Sequence, residues 1–281
     1  MNSFQRTMKY IAIAFAIFLS ITIISGIASA AFTVINAVTG HNNFKGKNTI
    51  DFSETFQDVE SLHIENSAGK LLIKTGDSFL VEAENVSEDF TARVSAGGTL
   101  TISDSKNFGF LWFRLNGFHN PNARITIYLP EDFVAKETKI DTGAGAVTVE
   151  GLHSKRLTLS TGAGSINGRD LTADKVKIDG GVGSITFKDV VFTDADFDCG
   201  VGSFDIEGVL LGKNKIDCGV GEVKLDLVGN VDDYDIDVDT GLGSVRLNGV
   251  KISKDYETDY NADHSLKIDG GVGDVRININ Q

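Results

Sequence analysis

The sequence predicts an all-β protein: a single-stack β-solenoid (β-helix) with turns of about 19 residues, preceded by one N-terminal transmembrane helix. Three observations carry this. A Gly-x-Gly signature recurs at Gly143, Gly162, Gly181, Gly200, Gly219, Gly241 and Gly271, spaced 19, 19, 19, 19, 22 and 30 residues apart. Columns of apolar residues keep their place relative to that signature. Finally, a long uncharged stretch stands near the N-terminus, and no helical pattern of useful length follows it.

The N-terminal element comes first. Arg6 and Lys9 precede an apolar run from Tyr10 to Phe32 with no charged side chain. As a helix it would extend roughly 35 Å, enough to cross a bilayer. Ala28-Ser29-Ala30 also resembles a small-residue cleavage site, but signal peptides have apolar cores of only about 7–15 residues. The run is therefore read as an uncleaved anchor. The positive-inside rule keeps Arg6 and Lys9 in the cytoplasm and places residues from about 40 onward outside. The expected organisation is a cytoplasmic tail (1–9), an anchor in the cell membrane (10–32), a linker (33–54) and an extracytoplasmic solenoid (55–281). Polar residues such as His41-Asn42-Asn43 and the glycine at 46 mark the linker.

Alternating strands begin at Ser61-Leu62-His63-Ile64-Glu65 and Leu71-Leu72-Ile73-Lys74. In the repeats, three residues before the first glycine stand Ile140, Leu159, Ile178, Phe197, Ile216, Val238 and Ile268; four after it stand Val147, Ile166, Ile185, Phe204, Val223, Val245 and Val275. A fixed period with strand-like alternation marks a solenoid, because each turn buries its apolar face only by stacking on its neighbours. One residue after the glycine come Ala144, Ala163, Val182, Val201, Val220, Leu242 and Val272. Read in steps of two, these also point inward, with one gap of three as a corner. The second glycine (Gly145 through Gly273) falls in that gap, where a missing Cβ permits positive φ or close backbone stacking. Nine after the first glycine, Leu152, Leu171, Val190, Val209, Val228 and Val250 are expected to line the return side. The two long spacings imply a bulge near Asn230-Val231-Asp232-Asp233 and an excursion through Lys254 to Asp263.

Composition narrows the function. The formal net charge of -13 excludes nucleic acid as a partner, since phosphate binding needs clustered Lys and Arg. Two cysteines, Cys199 and Cys218, cannot form a disulfide framework. They occupy one column a turn apart, beside Thr161 and Gly180, and are read as buried thiols filling a small-residue column; parallel Cβ vectors disfavour a bridge.

Two residues before each repeat glycine stand Asp141, Ser160, Asp179, Asp198, Asp217, Asp239 and Asp269. Stacked in register, their carboxylates recur every ~4.8 Å, a spacing that would admit Ca²⁺ between two neighbours of the column, with Asp179, Asp198, Asp217 and Asp239 the best candidates. Repulsion across ~4.8 Å of water costs only about 0.9 kcal/mol per pair, so a solvated acidic stripe needs no metal, and the stripe is the reading adopted. Gly270-Gly271-Val272-Gly273-Asp274 differs from the calcium-binding nonapeptide in both the aspartate position and the period.

The aromatic segment Phe108-Gly109-Phe110-Leu111-Trp112-Phe113-Arg114-Leu115-Asn116-Gly117-Phe118 reads as a hairpin closing one end of the solenoid, with a hydrophobic contact loop as the alternative. His41, His63, His119, His153 and His264 match no metal-ligand spacing, and neither Gly-x-Ser-x-Gly nor His-Glu-x-x-His occurs. No catalytic, metal or cofactor residues are assigned.

The stretch Ala123-Arg124-Ile125-Thr126-Ile127-Tyr128-Leu129-Pro130, followed by serial glycine turns, resembles the domain labelled "putative adhesin" in bacterial envelope proteins, including the LiaG-like proteins of cell-envelope stress operons. The resemblance runs from Phe56 to Gln281, and departs in the turn, where many relatives carry Ser-Gly-Asp in place of Gly-Ala-Gly or Gly-Val-Gly. It implies a membrane helix with an external β-solenoid and carries over no catalytic residue. The expectation is a non-enzymatic, membrane-anchored envelope protein acting in adhesion, protein contact or envelope-stress regulation, with an envelope protein or a cell-wall component as partner. The alternative is a glycan-binding or glycan-cleaving β-helix, since such folds can carry paired carboxylates along one face.

Overall fold

The computed structural model describes residues 49–104 and 122–280. The anchor (10–32), most of the linker and the aromatic segment 108–118 lie outside the described residues. Among those described, no helix is long and apolar enough to cross a membrane.

Among the described residues, eighteen strands form one sheet. The N-terminal part comprises β1 (Thr49–Phe56), β2 (Ser61–Gly76), β3 (Phe79–Ser87), β4 (Thr91–Val94), β5 (Thr99–Ser103), β6 (Arg124–Pro130) and β7 (Val134–Ala135). β1 starts within the stretch read as linker, so the sheet begins at Thr49. The repeats occupy β8 (Thr138–Glu150), β9 (His153–Thr193), β10 (Ala195–Leu211), β11 (Lys213–Val220), β12 (Val223–Val228), β13 (Tyr234–Leu242) and β14 (Val245–Leu247). β15 (Val250–Ile252), β16 (Asp255–Glu257), β17 (His264–Val272) and β18 (Val275–Asn280) complete the chain.

Parallel pairing stacks the turns in the register that the glycine alignment predicts: Ile140 opposite Leu159, Phe197 opposite Ile178 and Ile216, Phe204 opposite Ile185 and Val223. Both columns are buried throughout. Phe187, Phe192, Phe197 and Phe204 form an aromatic centre, with ring centroids 4.9 Å apart for Phe197–Phe204 and 5.4 Å for Phe187–Phe192. The structure adds an earlier turn: β2 pairs with β8 so that Ala68 meets Ala144 and Gly69 meets Gly145. There the signature has decayed to Ser67-Ala68-Gly69.

Spatial order departs from chain order at the C-terminal end. β17 and β18 lie between the β11/β12 turn and the β13/β14 turn, pairing with both. Buried Asn214 fixes the insertion: its Oδ1 accepts from Ala195 N at 3.3 Å while its Nδ2 donates to Ser265 O at 3.3 Å. Gly212 N donates to His264 Nδ1 at 3.1 Å. β13/β14 thus becomes the outermost turn, and the excursion covers it, with β15 and β16 pairing antiparallel to β14 and β13. Antiparallel β1, β3 and β4 serve the other end. The bulge is a single 3-10 turn, Val231–Asp233, in which the Asp233 carboxylate accepts from Asn230 N at 2.9 Å.

The return column differs from expectation in its last turns. Leu152, Leu171 and Val190 are buried, but Val209 is half-buried and Val228 and Val250 are exposed. A register shift between Ile206 and Gly208 sets Gly208 opposite Val190. From there the strand runs on, with Leu225 and Leu227 inside and Val228 therefore outside; Val250 sits in the capping hairpin.

Candidate contact surface at the glycine corner

The largest correction concerns the residues between the two glycines. Val182, Val201, Val220, Val272 and Leu242, expected inside, are 58%, 41%, 41%, 47% and 65% exposed. The cause is the second glycine. Gly183, Gly202, Gly221, Gly273 and Gly243 hold φ between +146° and +152°, a conformation that abolishes strict alternation across the corner. The inward path resumes only four residues after the first glycine. A Cβ at Gly202 would stand 1.6 Å from Gly183 O and one at Gly221 1.5 Å from Gly202 O, so both φ and stacking require glycine.

The consequence is a straight ridge of aliphatic side chains. Val182 is in register with Val201, Val201 with Val220, Val220 with Val272, and Val272 with Leu242. Glycines on both sides leave troughs along its flanks. Ala163 and Ala144 continue the line toward the N-terminal end with smaller, half-buried side chains.

Beside one trough runs the aspartate ladder, in register from Asp179 through Asp198, Asp217 and Asp269 to Asp239. Lysines two residues earlier in the chain meet it: Lys139–Asp141 at 2.7 Å, Lys177–Asp179 at 3.6 Å, Lys215–Asp217 at 3.1 Å and Lys267–Asp269 at 4.0 Å. Lys267 also reaches Asp237 at 2.7 Å. Hydrogen bonding to Asp217, then its charge, raises the Lys215 pKa; the same two effects from Asp237 raise that of Lys267. Four carboxylates of the stripe thus meet a lysine, whereas Asp198 and Asp239 are preceded by Asp196 and Asp237. Beside the other trough stand Ser184, Ser203, Glu222, Asp274 and Ser244. Glu222 is paired with Arg276, and Asp274 accepts from Ser244 N and Oγ, both at 2.9 Å.

Inside the corner, Cys199 and Cys218 face each other across adjacent strands as free thiols. A hydrogen bond shared with Cys218, followed by burial, pushes the Cys199 thiol well above its ordinary value. Such a thiol is a poor nucleophile. Thr142, Thr161 and Thr240 occupy the same column and are buried. The histidines remain dispersed: His63 Nε2 lies 3.7 Å from Glu65 and 3.8 Å from Asp141, His264 serves the inserted turn, His153 pairs with Val134, and His41 and His119 fall outside the described residues. On another outer face, Thr148, Glu150, Asn167, Arg169, Thr186 and Lys188 border a shallow depression of about 180 Å³.

Residues 59–249 match the family model described as Toastrack DUF4097. Among solved structures, the chain is similar to a "putative cell adhesion protein" from Clostridium sporogenes at 19% identity and TM-score 0.40, covering 83% of this chain and 100% of that one. A "putative adhesin" from Bacteroides fragilis matches at 12% identity and TM-score 0.31, covering 84% and 98%. A "putative lipid binding protein" from Parabacteroides distasonis matches at 16% identity and TM-score 0.32, covering 83% and 96%. No curated protein gave a match.

Proposed function

The chain belongs to the Toastrack DUF4097 family, and from that premise we propose that it is a non-enzymatic, membrane-anchored envelope protein whose external solenoid presents the glycine-corner ridge as a protein contact surface. The observation that carries this is the ridge: five large aliphatic side chains exposed and in register along the glycine corner. Single exposed apolar residues are ordinary, but a contiguous line rimmed by polar ladders is the pattern of an interaction surface. A stack of parallel strands also supplies rigidity, so little ordering entropy is lost on contact. Adhesion and envelope-stress regulation are both uses of such a surface, and Arg6, Lys9 and the Tyr10–Phe32 run supply the anchor.

The test is a pull-down from crosslinked cells of the native host, using the full chain tagged at Gln281 and its Val182→Ser, Val201→Ser, Val220→Ser variant. A partner retained by the parent and lost by the folded variant supports the reading, whereas equal recovery contradicts it. Protease removal of the tag from intact spheroplasts checks the external orientation. A second reading, glycan binding, draws on the depression lined by Thr148, Asn167 and Thr186; retention on cell-wall glycan that Asn167→Ala abolishes would favour it.

A further inference from the structure

We infer that the ridge's partner is a second copy of this chain, packed side by side in parallel orientation. This rests on the reading of the ridge as a contact surface and deepens it by naming the occupant.

Side chains recurring every ~4.8 Å along a straight line are matched by a surface of the same period, and a second copy provides one. Each ridge is flanked by its own glycine troughs, where Gly200 and Gly202 are half-buried and exposed respectively and carry no side chain to obstruct approach. A ridge that stands beside troughs is self-complementary, since two copies can each seat the ridge over the other's glycines. Such a two-fold contact is the commonest form of oligomer interface.

Charge selects the orientation. In an antiparallel pair the aspartate ladder of one copy would oppose that of the other, setting like charges together. In a parallel pair, related by a two-fold axis along the stack, the aspartate side of each copy faces the serine side of its mate at the same level. Asp179 and Asp198 then meet Ser184 and Ser203, hydroxyl donors to carboxylates. At the next two levels Asp217 and Asp269 face Glu222, which is paired with Arg276, and Asp274, which accepts from Ser244, so the parallel pair opposes carboxylates at two levels and the antiparallel pair at all five.

The five exposures correspond to roughly 400 Å² of aliphatic side chain per copy, about half of the ~800 Å² per partner in a stable complex. The contact is therefore weak for molecules free in solution and becomes effective when both copies are held in one membrane, where tethering raises the effective concentration. A two-fold axis along the stack keeps the Thr49 ends of both copies at the same level.

The experiment is cysteine scanning of the full chain reconstituted in phosphatidylethanolamine/phosphatidylglycerol vesicles. Val182→Cys, Val201→Cys and Val220→Cys are made singly in a Cys199→Ser, Cys218→Ser background and oxidised with copper–phenanthroline, with exposed Val134→Cys as control and circular dichroism to confirm folding. A two-fold axis along the stack brings each position beside its own copy, so all three variants should give disulfide-linked dimer several-fold above the control. Crosslinking at only one position would mean antiparallel packing and overturn the inference, as would no position exceeding the control. If no dimer forms while the Val182→Ser, Val201→Ser, Val220→Ser variant still loses a captured partner in cells, the ridge stands as a contact surface and self-pairing is refuted.

Discussion

Replacing Gly202 by alanine tests whether the corner is built as described. Gly202 holds φ +148°, and a Cβ there would lie 1.6 Å from Gly183 O, 2.7 Å from its carbonyl carbon and 3.2 Å from its nitrogen. The conformation alone costs an L-residue about 1–3 kcal/mol. The overlap is larger, because relieving it requires opening the two turns by about 1.4 Å, which carries ladder hydrogen bonds of ~2.9 Å beyond bonding distance. Losing two or three of them, at ~1 kcal/mol each, brings the total to about 3–6 kcal/mol, reaching the severe tail for single substitutions. Gly249→Ala is the matched control: φ is +79° and a Cβ would meet nothing within 4 Å, so only conformational strain of ~1–2 kcal/mol applies. Urea unfolding of residues 48–281, one compact unit, followed by circular dichroism, compares the two. Equal midpoints for Gly202→Ala and Gly249→Ala would refute the stacking argument.

Three further outcomes follow from the same structure. Phe197→Ala removes the ring that contacts Phe187, Phe192 and Phe204 and should cost about 3–5 kcal/mol in the same unfolding assay. The Asp274 carboxylate is held below its ordinary value by the Ser244 backbone N–H and then its hydroxyl, as Asp233 is by Asn230. Because these folded values are depressed, their stabilisation is fully present above the unfolded carboxylate value of ~3.9 and is lost as pH falls through the folded value. The difference in melting temperature between parent and Asp274→Asn should accordingly shrink as pH drops from 7 to 2. Cys199 and Cys218 should resist iodoacetamide at pH 8 in the folded protein and both react once it is unfolded, as counted by mass.

Much of this architecture was legible in the sequence. The columns headed by Ile140 and Val147 announced themselves because fully buried positions tolerate only apolar residues in every turn. The ridge was not legible: valine is as common inside a sheet as outside it, and only the positive φ of the second glycine turns Val182, Val201 and Val220 outward. The order of the last turns was hidden for a related reason. All repeats share one pattern, so periodicity cannot say which turn stacks on which; Asn214 and His264 decide it through hydrogen bonds to neighbouring turns. The first turn carries no Gly-x-Gly signal because Ser67 replaces the leading glycine. Val228 leaves the predicted column because the register shift at Gly208 lies upstream of it.

The central claim, that the glycine corner offers an outward contact surface, is tested most directly by a photo-crosslinking amino acid placed at Val201 in living cells of the native host, with the same residue at Val191, which is 38% exposed away from the ridge, as comparison. A discrete adduct from position 201 and none from position 191 is the expected result. Equal labelling from both positions, or adducts from 191 alone, would contradict it.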